Sequence, residues 1–298
     1  MQLNQTFISN IRDIYKESGD LWLQNLPTRL QQLSALWDFH LLGSMPSLTY
    51  HYVGLVKMKS MAKTAVIKIA PEGGSIASEL RWLKNMERVA PQLYAFDEKF
   101  NAFLMENLEP GHSLKTLLQQ GDDDSATKVI CQTIRSLQSQ KHTELPFRHL
   151  SELRNSLSLL KGCFDSKLLS KAQGLFEDLT VDRSYDVLLH GDLHHDNILL
   201  SETGWKVIDP HGYVGDPAAE VGSMIGNFFD CLPQNQSISK AVERRLHIMA
   251  DELPFDPQRI KAWALCMTTL SAAWTFEDHG TVNKFDVGVI SAIDQTKF

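Results

Sequence analysis

The stretch His190-Gly191-Asp192-Leu193-His194-His195-Asp196-Asn197 lies between two short apolar runs, Val187-Leu188-Leu189 and Ile198-Leu199-Leu200. Apolar runs of that length predict buried strands, so a connecting loop this crowded with ionisable groups needs a chemical reason. Asp192 and Asn197 stand five residues apart, which puts a carboxylate and an amide carbonyl on opposite sides of a turn. The first suits the orientation of a hydroxyl, the second the binding of a metal ion. Twelve residues beyond Asn197, the apolar run Val207-Ile208 ends on Asp209-Pro210, and a carboxylate is out of place there unless it meets a cation. Mg2+ takes oxygen donors and commonly uses one or two protein side chains together with substrate phosphates, so Asn197 and Asp209 are a sufficient protein contribution.

Working outward, the first third of the chain is β-rich with helices attached. Trp22, Leu26, Leu30, Leu33 and Trp37 recur at helical spacing and predict an amphipathic helix over residues 20–39, with both tryptophans in the core. From Leu48 the period falls to two, with Tyr50, Tyr52 and Val56 on one face, and a second β-rich run follows over residues 64–70. A helix is expected over residues 75–85, then strands over 93–97 and 102–105 around the polar turn Asp97-Glu98-Lys99-Phe100-Asn101. After Pro110-Gly111 the pattern turns helical, with Asp124 or Ser125 as the N-cap of a helix carrying Ile130, Ile134 and Leu137. Helices continue to about residue 179, strands are expected at 187–189, 198–200 and 205–208, and the rest of the chain is helical from Pro217. The organisation is α+β, with lobes expected over residues 1–107 and 108–298.

Composition excludes several functions. The chain has 298 residues, 43% hydrophobic and 22% charged, ordinary values for a folded globular protein. Its start lacks the basic segment and unbroken apolar core of a secretory signal. Residues 260–276 are interrupted by Lys261, Thr268, Thr269 and Ser271, which predicts a buried helix rather than a membrane span. The four cysteines, Cys131, Cys163, Cys231 and Cys266, form no Cys-x-x-Cys pair, which argues against a zinc site or disulfide framework and for a cytoplasmic location. A net charge of −7 disfavours nucleic acid as a partner and favours a cationic small molecule, although the same acidity also serves simply to keep a protein in solution.

The order His-Gly-Asp-Leu-His-x-Asp-Asn over residues 190–197, followed by Ile208-Asp209-Pro210, resembles the catalytic loop and magnesium aspartate of the aminoglycoside phosphotransferase family. Trp205-Lys206-Val207, Val214-Gly215-Asp216-Pro217-Ala218-Ala219-Glu220, Leu108-Glu109-Pro110-Gly111 and Trp274 with Glu277-Asp278 look like its streptomycin 6-kinase and hydroxyurea kinase branch. The resemblance covers nearly the whole chain. It implies a protein-kinase-like two-lobed fold, a small antiparallel-sheet lobe followed by a larger helical one, and transfer of the γ-phosphoryl group of ATP to a hydroxyl. In that frame Asp192 is the catalytic residue, and Asn197 and Asp209 hold Mg2+ with ATP as co-substrate. Lys68, in Val66-Ile67-Lys68-Ile69, pairs the phosphates and is held by Glu79. Backbone groups of the hinge Glu106-Asn107-Leu108 meet the adenine, while His190 and Asp216, with Asp196, brace the loop, Asp216 also capping the helix that follows it. Ser44-Met45-Pro46-Ser47-Leu48-Thr49, which lacks a G-x-G-x-x-G, is either the phosphate-covering loop or an ordinary hairpin turn.

Other readings of the same residues remain open at the level of sequence. The histidines and aspartates of residues 190–196 could form a zinc hydrolase cluster, but no distant His-rich partner accompanies them. The acceptor could be a streptomycin-like aminoglycoside or another metabolite, a sugar or amino-alcohol, and a silent nucleotide-binding regulator is the reading from another class. His194 and His195 could face substrate or be satisfied histidines. Asp230, Asp251, Glu252, Glu277 and Asp278 could line an acceptor site or be solvated helix ends. A monomer or homodimer is expected, with no membrane partner.

Overall fold

The computed structural model describes residues 3–46, 48–60, 63–74, 76–139, 146–227, 231 and 237–298. The chain divides into two compact units, Met1–Gly111 and His112–Phe298.

The first unit is built on a long helix and a twisted sheet. Helix α1 (Gln5–Trp37) starts at Asn4, whose side chain accepts the Phe7 N–H at 2.6 Å, and bends at Lys16, where φ is 52°. The helix thus extends well upstream of the expected residue 20, because Phe7 and Ile11 continue the buried stripe of Trp22, Leu26, Leu30 and Leu33. Trp22 is core as expected, whereas Trp37 is half-buried at its edge. The sheet joins β1 (Phe39–Ser44), β2 (Tyr52–Met58), β3 (Thr64–Ile69), β4 (Leu93–Asp97) and β5 (Ala102–Glu106) in the antiparallel order β1-β2-β3-β5-β4. Strand β1 falls where a helix end was expected: Asp38 adopts φ 53° and its N–H bonds back to Ser34 O, which closes α1 and releases the chain into the sheet. Helix α2 (Ala77–Asn85) follows β3.

The second unit is mainly helical. The short strand β6 (Pro110–Ser113) leads into it and joins β9 (Ile198–Ser201) and β10 (Gly204–Val207) in the order β10-β9-β6. A second small sheet has the order β7-β11-β8, with β7 (Arg148–His149), β8 (Val187–Leu189) and β11 (Tyr213–Gly215). Around these pack α3 (Lys115–Gln119), α4 (Asp123–Gln138), a 3-10 helix over Leu150–Leu160, α5 (Ser166–Leu179), α6 (Val221–Ile225), α7 (Ile238–Glu252), α8 (Pro257–His279) and α9 (Lys284–Gln295). The N-cap of α4 is Asp122, not Asp124 or Ser125: its carboxylate accepts the Ser125 N–H at 3.1 Å, leaving Asp123 free to turn inward.

Helix α8 is the axis of this unit. Ile260, Trp263, Leu265, Met267 and Leu270 are buried on different faces, because α5, α6 and α9 and the 3-10 helix surround it. Its contact with α6 needs Gly222, where a Cβ would lie 2.0 Å from Met267 Cβ. No described helix is long and apolar enough to cross a membrane.

Candidate active site

The small strands β8 and β9 present residues 190–197 as a tight loop whose polar groups bond chiefly to one another. Asn197 is buried, and its Nδ2 donates to Asp192 O at 2.9 Å and to Asp192 Oδ2 at 3.3 Å. With the amide nitrogen committed, Oδ1 is the side chain's remaining polar atom, and a carbonyl oxygen is the donor type a hard divalent cation takes. His194 Nε2 lies 3.4 Å from Asp192 Oδ2. Burial alone would raise the Asp192 carboxyl, but the hydrogen bond and charge of His194, helped by His211 and His190, outweigh it and hold the group below the usual carboxylate range. Asp192 is therefore an ionised acceptor at neutral pH, ready to take a hydrogen bond from a hydroxyl.

His190 joins this loop to the Asp209 segment. Its Nε2–H donates to Ile208 O at 2.9 Å, and its Nδ1 accepts the Asp192 N–H at 3.3 Å, so the partners define one neutral tautomer. Burial pushes the imidazole down to about 4, which keeps it in that state. Ile208 N–H in turn donates to Asn197 O at 3.0 Å, and His190 O accepts from His211 N–H and Gly212 N–H. Asp209 itself is exposed and sits at φ 57°, a left-handed conformation that costs a non-glycine residue about 1–3 kcal/mol and persists only where its surroundings impose it. Asn197 and Asp209 thus fit the role of oxygen donors to Mg2+. Among the described residues no group of three or more His, Cys, Asp or Glu side chains is arranged to hold a metal ion, so the zinc reading finds no ligand set there.

Within the first unit, Lys68 on β3 and Glu79 on α2 form a buried pair, with Lys68 Nζ 2.9 Å from Oε1 and 2.8 Å from Oε2. Two desolvated charges of this kind return little net stability, so their retention beneath an otherwise apolar strand points to use elsewhere. Glu106 ends β5, where its N–H donates to Gln92 O and its carboxylate accepts Gln92 N–H at 3.0 Å; Leu108 is buried two residues on. The segment over residues 44–49, read as either a phosphate-covering loop or a hairpin turn, is tied to the start of α1: Asn4 Nδ2 donates to Pro46 O and Leu48 O, and Asn10 Nδ2 to Thr49 O. Ser47 of that loop lies outside the described residues, as does Asp230 among the acidic candidates.

Residues 47–279 match the family of aminoglycoside/hydroxyurea antibiotic resistance kinases. The chain belongs to that family. Streptomycin 3''-kinase of Klebsiella pneumoniae is 30% identical over 187 residues, spanning 61% of this chain and 70% of that protein. Streptomycin 6-kinase of Streptomyces glaucescens is 24% identical over 273 residues, 89% of this chain and 87% of its own. A solved choline kinase from Streptococcus pneumoniae superposes with a TM-score of 0.59 at 18% identity, covering 89% of this chain and 95% of that one, a likeness of fold. The protein is accordingly a phosphotransferase acting on a hydroxyl group, with the protein-kinase-like fold.

In this kinase the Asp216 carboxylate forms its hydrogen bonds away from residues 190–197. Its Oδ1 caps the 3-10 turn Pro217–Glu220 through Ala218 N–H at 3.0 Å, and its Oδ2 takes hydrogen bonds from Arg259 Nε at 2.6 Å and Trp263 Nε1 on α8. The turn it caps ends on Glu220, whose carboxylate accepts the His190 and Gly191 N–H groups of the loop. Glu220 and the buried Arg245–Asp123 pair are the residues that sequence reasoning did not single out. The capping pattern Asp216-Pro217 was a signal for the first; no periodicity announces the second. His195 is buried and held neutral, pushed down to about 2 mainly by burial and also by the charge of Arg245, while Asp196 is exposed and pairs with Ser113 and Lys115. Of the acidic candidates, Glu252 is engaged by Arg135, and Asp251, Glu277 and Asp278 are exposed.

Gly191 is required by this geometry. Its φ is 81°, and a Cβ there would lie 2.6 Å from Tyr213 Cδ2. Gly191→Ala is expected to lower stability by about 1–3 kcal/mol in denaturant unfolding and to depress turnover by displacing Asp192.

Proposed function

We propose that this kinase transfers the γ-phosphoryl group of ATP directly to a hydroxyl of a streptomycin-like aminoglycoside, in the cytoplasm, as a monomer or homodimer. The observation that carries the reading is the hydrogen-bonded Asp192–Asn197 pair, joined through Ile208 to Asp209. The acceptor oxygen attacks in line while the bond from phosphorus to the ADP oxygen breaks, and the hydroxyl proton passes to the Asp192 carboxylate. Because the transition state is loose, orientation by Asp192 matters more than its basicity. Lys68, held by Glu79, pairs with the phosphates, and the backbone at Glu106 and Leu108 meets the adenine. Asn197 and Asp209 would hold Mg2+, which when bound neutralises charge on the transferred group.

The streptomycin kinases among the relatives and the net charge of −7 support a cationic aminoglycoside as acceptor. The test is ADP release from Mg·ATP across streptomycin, other aminoglycosides, hydroxyurea, simple sugars and amino-alcohols. Release that depends on streptomycin or a close analogue is the expected result. Release confined to a sugar or amino-alcohol would replace the aminoglycoside reading by that of a metabolite kinase.

A further inference from the structure

Glu220 is fully buried at the end of the turn Pro217–Glu220, and its carboxylate accepts two consecutive peptide N–H groups, that of His190 at Oε1 and that of Gly191 at Oε2, 3.2 Å away. These are the two N–H groups that immediately precede Asp192. They converge on one carboxylate because Gly191 takes a left-handed φ of 81°, which turns successive N–H groups toward the same side and makes a small anion-holding concavity. Among the described residues no lysine, arginine or histidine side chain pairs with Glu220, so its charge is satisfied by the backbone of the catalytic loop. We propose that Glu220 is a positioning residue for phosphoryl transfer, fixing the peptide ahead of Asp192 so that its carboxylate meets the acceptor hydroxyl in one orientation. This rests on the reading of Asp192 given above.

A carboxylate in apolar surroundings is costly unless it is fully hydrogen-bonded, so a group placed here for packing alone would be better replaced by a leucine or glutamine. Burial pushes Glu220 up to about 7, against the pull of the two N–H donors, and Asp192 raises it further. The residue it holds, His190, also fixes the Asp192 N–H through Nδ1 and Ile208 O through Nε2, so one carboxylate sets the position of both segments that bear Asp192 and Asp209. Misplacement of a catalytic group by about 1 Å can cost about a hundredfold in rate.

Glu220→Gln keeps the volume but presents an NH2 to one of the two peptide N–H groups, leaving a single acceptor. In the full-length protein, assayed well below its melting temperature, this variant is expected to lose about tenfold to a hundredfold in kcat, with KM for Mg·ATP changed by less than about twofold. Amide hydrogen exchange across residues 190–192 should accelerate. Glu220→Asp, which retains the charge, should recover part of the rate. Leu169→Ala, a core truncation on α5, serves as the reference for a lowered melting temperature with kcat intact. Wild-type kcat in Glu220→Gln, or a kcat loss no larger than that of Leu169→Ala at equal melting temperature, would overturn the proposal. So would unchanged exchange at residues 190–192, a readout that needs no acceptor. If the wild-type protein transfers phosphate to nothing in the panel, it is the functional reading that fails, and the exchange measurement still decides whether Glu220 holds the loop.

Discussion

Asp192→Asn is expected to lower kcat by about 10²–10⁴-fold, the usual contribution of a positioned proton acceptor, while leaving Mg·ATP affinity close to that of the wild type. The substitution keeps the size of the side chain, so the Leu193 core contact and the Asn197 contact to Asp192 O survive, and what disappears is the charge. Loss of that charge removes the acceptor for the hydroxyl proton and the partner of His194, 3.4 Å away. Because the carboxyl is held below the usual range, the wild-type group is already ionised at neutral pH, and its activity should be flat upward from neutrality as far as this residue is concerned. The sign is that of a depressed acid: the active form is lost only as pH falls through the lowered value. ADP release together with calorimetric titration of Mg·ATP gives both quantities. Undiminished turnover with intact nucleotide binding would remove Asp192 from the chemistry.

The second large effect concerns stability. Arg245 on α7 is fully buried, and its Nε and Nη2 meet the Asp123 carboxylate on α4 at 2.8–3.1 Å. Nη1 donates to Met224 O, Ile225 O and Asn227 O, carbonyls at the end of α6 and in the turn after it. One guanidinium therefore satisfies a buried carboxylate and a helix C-terminus together. Arg245→Met leaves the buried Asp123 carboxylate without its partner and takes a donor from those carbonyls, so a loss of about 3–5 kcal/mol is expected in denaturant unfolding. Replacing both partners, Arg245→Met with Asp123→Leu, should restore a large part of it, since the penalty lies in the orphaned charge rather than in the loss of the pair. A single variant as stable as the wild type would show that the pair contributes nothing. A double variant no better than the single would shift the weight to the α6 carbonyls.

Much of the candidate site was legible because it is local in the chain. Asp192 and Asn197 share one short loop, and the apolar runs on either side define its ends, so the hydrogen bond between them is nearly a consequence of their spacing. Lys68 and Glu79 lie eleven residues apart on consecutive elements, and their ion pair closes over a distance set by one strand and one helix. Helix α1 was underestimated because the polar stretch Lys16-Glu17-Ser18-Gly19-Asp20 separates Phe7 and Ile11 from the stripe that begins at Trp22, and β1 because Asp38 ends the helix with a left-handed backbone that composition does not announce. The cap of α4 was displaced by one of three consecutive aspartates, whose sequence positions are equivalent until the partners of each are known.

By itself the sequence determined the succession of a β-rich first part and a helical second part, the polar loop of residues 190–197 and the family to which the chain belongs, since each is carried by short stretches legible without knowledge of the fold. Only the tertiary structure decided that Glu220 lies beneath His190 and Gly191, that Asp216 bonds to α8 rather than to the loop, and that Arg245 meets Asp123 across 122 positions of chain. Burial is what separates these from ordinary surface charges. A glutamate or arginine is indistinguishable in sequence from its solvated counterparts until packing removes water and leaves a peptide N–H or a single carboxylate as its partner.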